Sequence, residues 1–574
     1  MNPPSGPSRS RLGLALAVAP LGLQALAIRL FGVNTLVWDE FYYVEFIRRV
    51  RAGESWLRWL WVQHNEHRVI PMKLAMAPLA VLTRWDTRAE MVLSLALAGV
   101  TVLGLWRLYR RAGGEDLLLF APVPWLVCCL SQYQNMLYGM MMCHYFTLAG
   151  VVWALVLLDR PSGGRLAAAV LCGLTATYSI ANGLLIWPVG LVLLLVQKAR
   201  RGLVAAWAVA SVVATGAYFY RFQLPPGPPM PRGLPGLYKV ASFFVAVLGA
   251  PLGAGSMDWS RAAGLAILLA LAAVAWRWRR EGLELARKEA LPGALILFAL
   301  LSCGMIAAGR AGYGVPPLES RYIAYSSLAL MGIFMILGLR RGEEAGRLWL
   351  AGAIALLVPG LIAANLWGLR QARDWRNLRL REKFLLQTWA SQPDEALTGL
   401  YFVPELRRAA PYLQDERLGP FGEPRDLLVL VRWREGSMAG EILPGQPVEQ
   451  AYVCDVGTLW EAGPVLSTYG RQNRSTVAVS LWEGSRRLGA RTVPLAGLPD
   501  SSWISIPLAE PLRDCRGRRL TFRLESPDAR PGDAGSVWTY PSYYEGGLAQ
   551  PGAAPMPGRT AGLEVNAMHF GLLQ

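Results

Sequence analysis

Apolar residues recur in runs of about 20 from Arg11 to Trp367, each long enough to cross a bilayer, and the runs stop after Gln371. The pattern predicts a first helix over residues 13–32. Further spans follow at about 90–108, 117–131, 136–158, 166–178, 183–197, 202–221, 260–277, 291–308, 322–339 and 347–366, about 11 in all. Two apolar stretches depart from this. Residues 70–82 are short and punctuated by Pro71 and Pro78, which predicts an interfacial or re-entrant helix. Residues 237–252 would reverse the sidedness of everything downstream, so a second non-spanning helix is expected there. Residues 370–424 read as a helical linker, of which 370–388 is charged and amphipathic. From 425 onward short alternating runs take over, at 427–431, 476–479, 503–506 and 520–524, separated by Gly, Pro and Asp. That spacing predicts an antiparallel, β-sandwich-like domain over 425–574. The expected fold class is therefore a polytopic α-helical membrane domain over 1–369 with a C-terminal β-rich domain.

Composition agrees. Of 574 residues, 53% are hydrophobic and 17% charged, which excludes a string of soluble domains, a small secreted protein and a disordered chain. The formal charge is +17 and nearly all of it is arginine. Arginines crowd the short loops at 107–111, 159–165, 198–201, 277–280 and 340–347, the positive-inside pattern of a membrane protein and not a nucleic-acid footprint. By that rule the N-terminus is cytoplasmic and the β-rich domain extracytoplasmic, as in a bacterial inner-membrane protein facing the periplasm. Arg9 and Arg11 before an apolar run look like a signal peptide, but the run is long and no small-residue cleavage site follows, so a retained first helix is expected. Five of the seven cysteines lie in apolar runs. Cys454 and Cys515 stand alone in the β-rich part and are expected to pair in an oxidising compartment; two separate buried thiols are the alternative.

Candidate chemistry concentrates in the loop after the first helix. Tyr43, Phe46, Ile47 and Val50 fall on one face of a short interfacial helix, and Asp39 and Glu40 precede it. A carboxylate there serves as a general base, or with its neighbour as oxygen ligands for a divalent ion such as Mg or Mn. The alternative is a helix N-cap. His64, Glu66, His67 and Arg68 follow as polar positioning groups; the alternative is that His64, His67 and Glu66 are metal ligands, though zinc would want a third clear ligand. A second cluster runs through Arg310, Glu319, Arg321 and Tyr322. Arginine on the outer side opposes the charge rule. A guanidinium fork matches phosphate, so Arg310 and Arg321 are candidate phosphate binders, with an Arg321–Glu319 ion pair as the alternative. Tyr178 and Asn182 break an apolar run and are placed at the same mouth. Gln132, Gln134 and Asn135, and His144 inside a span, are further candidates to line the same cavity, with His144 expected to be a packing residue before a catalyst. Trp538, Tyr540, Tyr543 and Tyr544 are expected to be core aromatics of the sandwich.

The series Asp39-Glu40, Tyr43, Glu45, Arg48, Gly53-Glu54-Ser55-Trp56, Glu66 and Pro71 resembles the first outer loop of the GT-C superfamily of polytopic glycosyltransferases. The resemblance covers about residues 13–200, and the remainder by topology only. It implies a sugar donor linked to polyprenyl phosphate and a glycan, lipid or protein acceptor on the outer side. It also implies Asp39 as the acceptor-activating base, Glu40 in support, and no required cofactor. Where such enzymes often carry Lys–Pro–Pro, this chain has Glu66-His67-Arg68-Val69-Ile70-Pro71, which puts His67 or Arg68 in the lysine's place. Two other classes fit the composition: a transporter or flippase of a lipid-linked saccharide, and a non-catalytic glycan-binding assembly subunit.

Overall fold

A computed structural model gives the fold and describes residues 7–224, 233–313, 315–387, 389–391, 394–423, 437–454, 458–500, 502–504, 506–515, 517–541, 559–561 and 563–566. Among them, ten helices are long and apolar enough to cross a membrane, which is the make-up of a multi-pass membrane protein. The count differs from the expected 11 in two places. Gly233–Leu252 is one of the ten, although residues 237–252 read as non-spanning. The stretches at 166–178 and 183–197 fold instead as two shorter helices, Gly163–Thr177 and Ala181–Val196. The break between them falls where expected, at Tyr178–Asn182, with the Tyr178 N–H bonded back to Leu174; what differs is that neither helix reaches 18 residues.

The chain divides into two compact units, one of Met1–Arg379 with Leu400–Gly422, the other of Leu380–Gly399 with Glu423–Gln574. The first unit begins with α1 (Pro7–Phe31), α2 (Val44–Arg51), α3 (Leu57–Trp61), α4 (Ile70–Thr83) and α5 (Thr87–Arg111). It continues with α6 (Met142–Leu158), α7 (Gly163–Thr177), α8 (Arg201–Phe219), α9 (Gly233–Gly249), α10 (Met257–Glu281), α11 (Ala290–Arg310) and α12 (Ile323–Leu339). Side-chain caps set several starts: Asp86 accepts from the Arg88 N–H, Ser162 from Arg165 and Ser256 from Trp259. Helix α4 lies across one end of the bundle. Its first N–H bonds to the Tyr178 carbonyl at the end of α7, and just past its other end Thr87 N–H bonds to Asn34, just after α1. Helices α9 and α10 pack with their backbones in contact. A Cβ on Gly249 would overlap the Ser260 carbonyl, and one on Gly264 the Val245 carbonyl.

In the second unit two antiparallel sheets enclose one apolar core. One sheet runs in the order Val448–Val453, Arg519–Glu525, Thr476–Glu483, Arg486–Pro494; the other is built around Thr458–Ser467. Alternation sends Val477, Val479 and Leu481 inward, opposite Phe522 and Leu524. Cys454 and Cys515 are joined in a disulfide, with Cα atoms 5.6 Å apart. The expected single strand at 503–506 is instead the end of Ser502–Trp503 and the start of Ile506–Arg513. The expected strand at 427–431, and Tyr543 and Tyr544, lie outside the described residues.

Candidate functional site

At the α4 end of the helices a cavity of about 380 Å³ is lined by Asp39, His64, Glu66, His67, Asn182, Arg310, Arg321 and Tyr322. The turn that presents Asp39 is unusual. Trp38 adopts a left-handed backbone (φ 43°), with its ring edge-on to Tyr138 and Trp375 at 6.0 and 5.5 Å. The two acids after it point to opposite environments. The Asp39 side chain is 44% exposed at the cavity, whereas Glu40 is completely buried.

Glu40 accepts the Val37 N–H at 2.8 Å and the Met140 N–H at 3.1 Å. Burial pushes its carboxyl up to about 8; the two N–H bonds and the Arg379 charge pull the other way, and Asp39 adds to the rise. Glu40 therefore keeps its proton at neutral pH and does not line the cavity. That corrects its expected catalytic and metal-binding roles. A buried acid spent on backbone N–H groups does not close a cation cage with Asp39, and no metal-holding group of three or more His, Cys, Asp or Glu occurs among the described residues.

The pH consequence has a definite sign. Glu40 has a folded pKa near 8 against an ordinary 4.5. Its stabilisation is present below 4.5 and is lost as pH rises toward 8. The melting temperature of wild type minus that of Glu40→Gln, measured in detergent, should therefore fall between pH 5 and 8. A difference that stays flat across that window sinks the assignment.

Burial raises the Asp39 carboxyl, but the hydrogen bond from His64 and the charges of His64 and Arg321 more than reverse this and hold it below its ordinary range. Asp39 is thus ionised, with Oδ2 at 3.2 Å from His64 Nε2. His64 is pinned by paired backbone hydrogen bonds with His67, each 2.8 Å, across a turn in which Asn65 is left-handed (φ 47°). His67 Nδ1 accepts the Ala181 N–H at 3.2 Å. Its proton therefore resides on Nε2, 3.6 Å from Glu66 Oε1. Burial lowers His67 to about 4, so the ring is neutral. Burial raises Glu66, yet the paired Arg310 charge helps hold it lower than usual. Arg321 lies over the Tyr322 ring at 5.6 Å and 3.8 Å from Glu319, so the expected ion-pair alternative is present at long range. Glu319 itself is not in the cavity lining.

Two expected site residues are placed otherwise. Arg68 donates to the carbonyls of Trp61, Tyr218 and Tyr220 at 2.6–2.7 Å and is 2% exposed. It closes the carbonyl ends of α3 and α8 in place of binding an anion. Lys73 treats α3 the same way, through Trp59 and Val62. Tyr178 donates its hydroxyl to Ala214 and sits outside the cavity.

Asn182 reaches the Ser302 carbonyl at 3.4 Å. Its neighbour Gly183 touches the end of α7 so closely that a Cβ would overlap the Ala176 carbonyl. Backbone cannot rotate away, so Gly183→Ala should cost about 3 kcal/mol and disturb the Ala181–His67 bond. A thermal midpoint within a degree of wild type would refute this.

Sequence reasoning missed the apolar wall of Met140, Phe219, Phe222 and Met305; His144, read as a feature of the same cavity, does line it and is bonded to Tyr325 at 2.9 Å. Sequence reasoning also missed Arg379, stacked 4.2 Å from Trp375 and 5.1 Å from Trp38, under the Asp39 turn. Polar residues inside apolar runs were the available signal. Compared with known proteins, the chain matches no family model and none of the curated sequences.

Proposed function

We propose that the chain is a GT-C-like glycosyltransferase that moves a sugar from a polyprenyl-phosphate-linked donor to an extracytoplasmic glycan, lipid or protein acceptor. The observation that carries this reading is the convergence of one ionised, histidine-held carboxylate with two arginines in a cavity that also has an apolar wall. Asp39 takes the acceptor hydroxyl's proton as the acceptor oxygen bonds to the anomeric carbon. The carbon–oxygen bond to phosphate breaks with inversion, and the polyprenyl phosphate leaves as an anion. Arg321 and Arg310 offset the charge on that leaving group. Arg310 must first exchange Glu66 for phosphate oxygen, and neutral His67 supplies a fixed N–H beside it. No metal is needed for the proton's path. The donor's isoprenoid tail fits the Met140–Phe219–Met305 side.

Sidedness supports the reading. Asp39 and Arg310 share one cavity, so the chain between them crosses the membrane an even number of times. Among the described residues, seven of the ten long apolar helices and all three shorter ones, Ile70–Thr83, Gly163–Thr177 and Ala181–Val196, lie in that interval, so an even number of these ten cross. Positive-inside charge supports the same reading, with the cavity on the outer face of a bacterial cytoplasmic membrane.

The test deletes the gene in its host and restores it as wild type or Asp39→Asn at matched protein level. Surface glycans and glycolipids are then compared by mass spectrometry. Loss of one defined sugar in both deletion and variant supports transfer. A deletion phenotype that Asp39→Asn fully rescues refutes Asp39 as the base and favours carrier transport.

A further inference from the structure

A second pocket, of about 730 Å³, opens at the other end of the same helices. Helix α6 starts beside the cavity residues Cys143 and His144, and α5 starts beside Asn34; the pocket is built from the far ends of both. Its lining holds Arg107, Arg110, Arg111, Arg160 and Arg165 against one acid, Asp159.

Two of these arginines are fixed by the protein. Arg165 donates to the Val156 and Leu157 carbonyls at 2.8 and 3.3 Å, using the unpaired carbonyl end of α6 as its anchor. Arg111 pairs with Asp159 at 2.9 Å, and Gln197 holds the other carboxylate oxygen at 3.2 Å. Arg107 and Arg160 have no ion pair among the described residues. A surplus of guanidinium groups around a shaped concavity suits an anion with several oxygen acceptors, such as a phosphate. The floor is not polar. Trp153, Val156 and Leu157 form it, with the Trp153 indole N–H bonded to the Val100 carbonyl at 3.0 Å. Beyond it, Val100 and Leu103 are 43% and 49% exposed along the flank of α5. A soluble anion has no use for that flank; a ligand with chains does.

We propose that this pocket binds the phosphate of an acidic phospholipid, whose acyl chains run along Val100, Leu103 and Trp153. The site is separate from sugar transfer and requires only that the apolar helices lie in a bilayer. Arg165 and Arg111 are pre-set donors, and Arg107 and Arg160 close on the headgroup from the rim. Diffuse attraction of basic loops to an anionic surface would not discriminate among arginines at this end; a built site does.

The full chain is purified in mild detergent and presented with equal amounts of phosphatidylglycerol and phosphatidylcholine, and retained lipid is read by native mass spectrometry. Three proteins are compared: wild type, Arg107→Gln/Arg160→Gln, and a charge-matched control, Arg279→Gln/Arg280→Gln. Arg279 and Arg280 are exposed on α10 at this same end, tied there through Arg277–Glu289 and the Arg287–Val196 bond, and lie outside the pocket lining. Wild type and control should retain phosphatidylglycerol selectively, and the pocket variant about tenfold less or lower still. Equal loss in both variants, or equal retention of phosphatidylcholine, overturns the proposal. Inorganic pyrophosphate is the last arm. If it binds the lipid-free protein through the same two arginines and displaces phosphatidylglycerol, the ligand is a soluble phosphate and the lipid assignment falls.

Discussion

Asp39→Asn should reduce sugar transfer by about 10²–10⁴-fold, the share that a positioned general base contributes. Asn has the size of Asp and retains an oxygen toward His64, so the turn at Trp38 keeps its shape. Asp39 is also partly exposed, which removes burial as a competing explanation. What changes is the proton acceptor. The effect should fall on turnover more than on donor binding, because the phosphate-facing groups, Arg310 and Arg321, are untouched. A variant that melts like wild type yet transfers no sugar fits this account. A variant that transfers at the wild-type rate refutes it, whatever its stability.

Replacing both Cys454 and Cys515 by Ser should weaken the β-rich unit by about 4 kcal/mol, the loop-entropy value for a crosslink across a separation of 61 residues. Both sulfurs are buried in the core that the two sheets share. The lost constraint acts on the unfolded chain, while the two hydroxyls left in an apolar core add to the penalty. Limited proteolysis of the full chain should then cut within 454–515 at temperatures where wild type resists. Matching protease patterns would show that the two sheets hold without the crosslink.

Long apolar runs were legible because their signal is additive over 20 residues and needs no partner. The break at Tyr178–Asn182 was legible too, because polar residues interrupt the run there; the long helix at Gly233–Leu252 was not, because a charge-parity argument does not see its glycine packing against the next helix. In the site, Asp39, His64 and Arg321 were legible by residue type, since an acid, a ring nitrogen and an outer-side arginine each stand out against apolar surroundings. The Glu66–Arg310 pair was not, because 244 residues separate its members and nothing local joins them. Nor was the divergence of Asp39 and Glu40. Neighbouring carboxylates look equivalent in a sequence, and only the left-handed Trp38 sends one to water and the other to the core. Arg68 misled for a related reason. A guanidinium suits phosphate and helix-end carbonyls equally, and the choice belongs to the chain that happens to pass by.

The contact of α9 with α10 bears on how α9 is held in the bilayer. Lys239 lies within α9, so that helix is a poor candidate to settle in lipid by itself. Its security comes from glycine-to-carbonyl contact with a helix synthesised after it. The two helices therefore behave as one packed pair, and a bulky residue at Gly249 or Gly264 should push α9 away from α10 and leave Lys239 without that support.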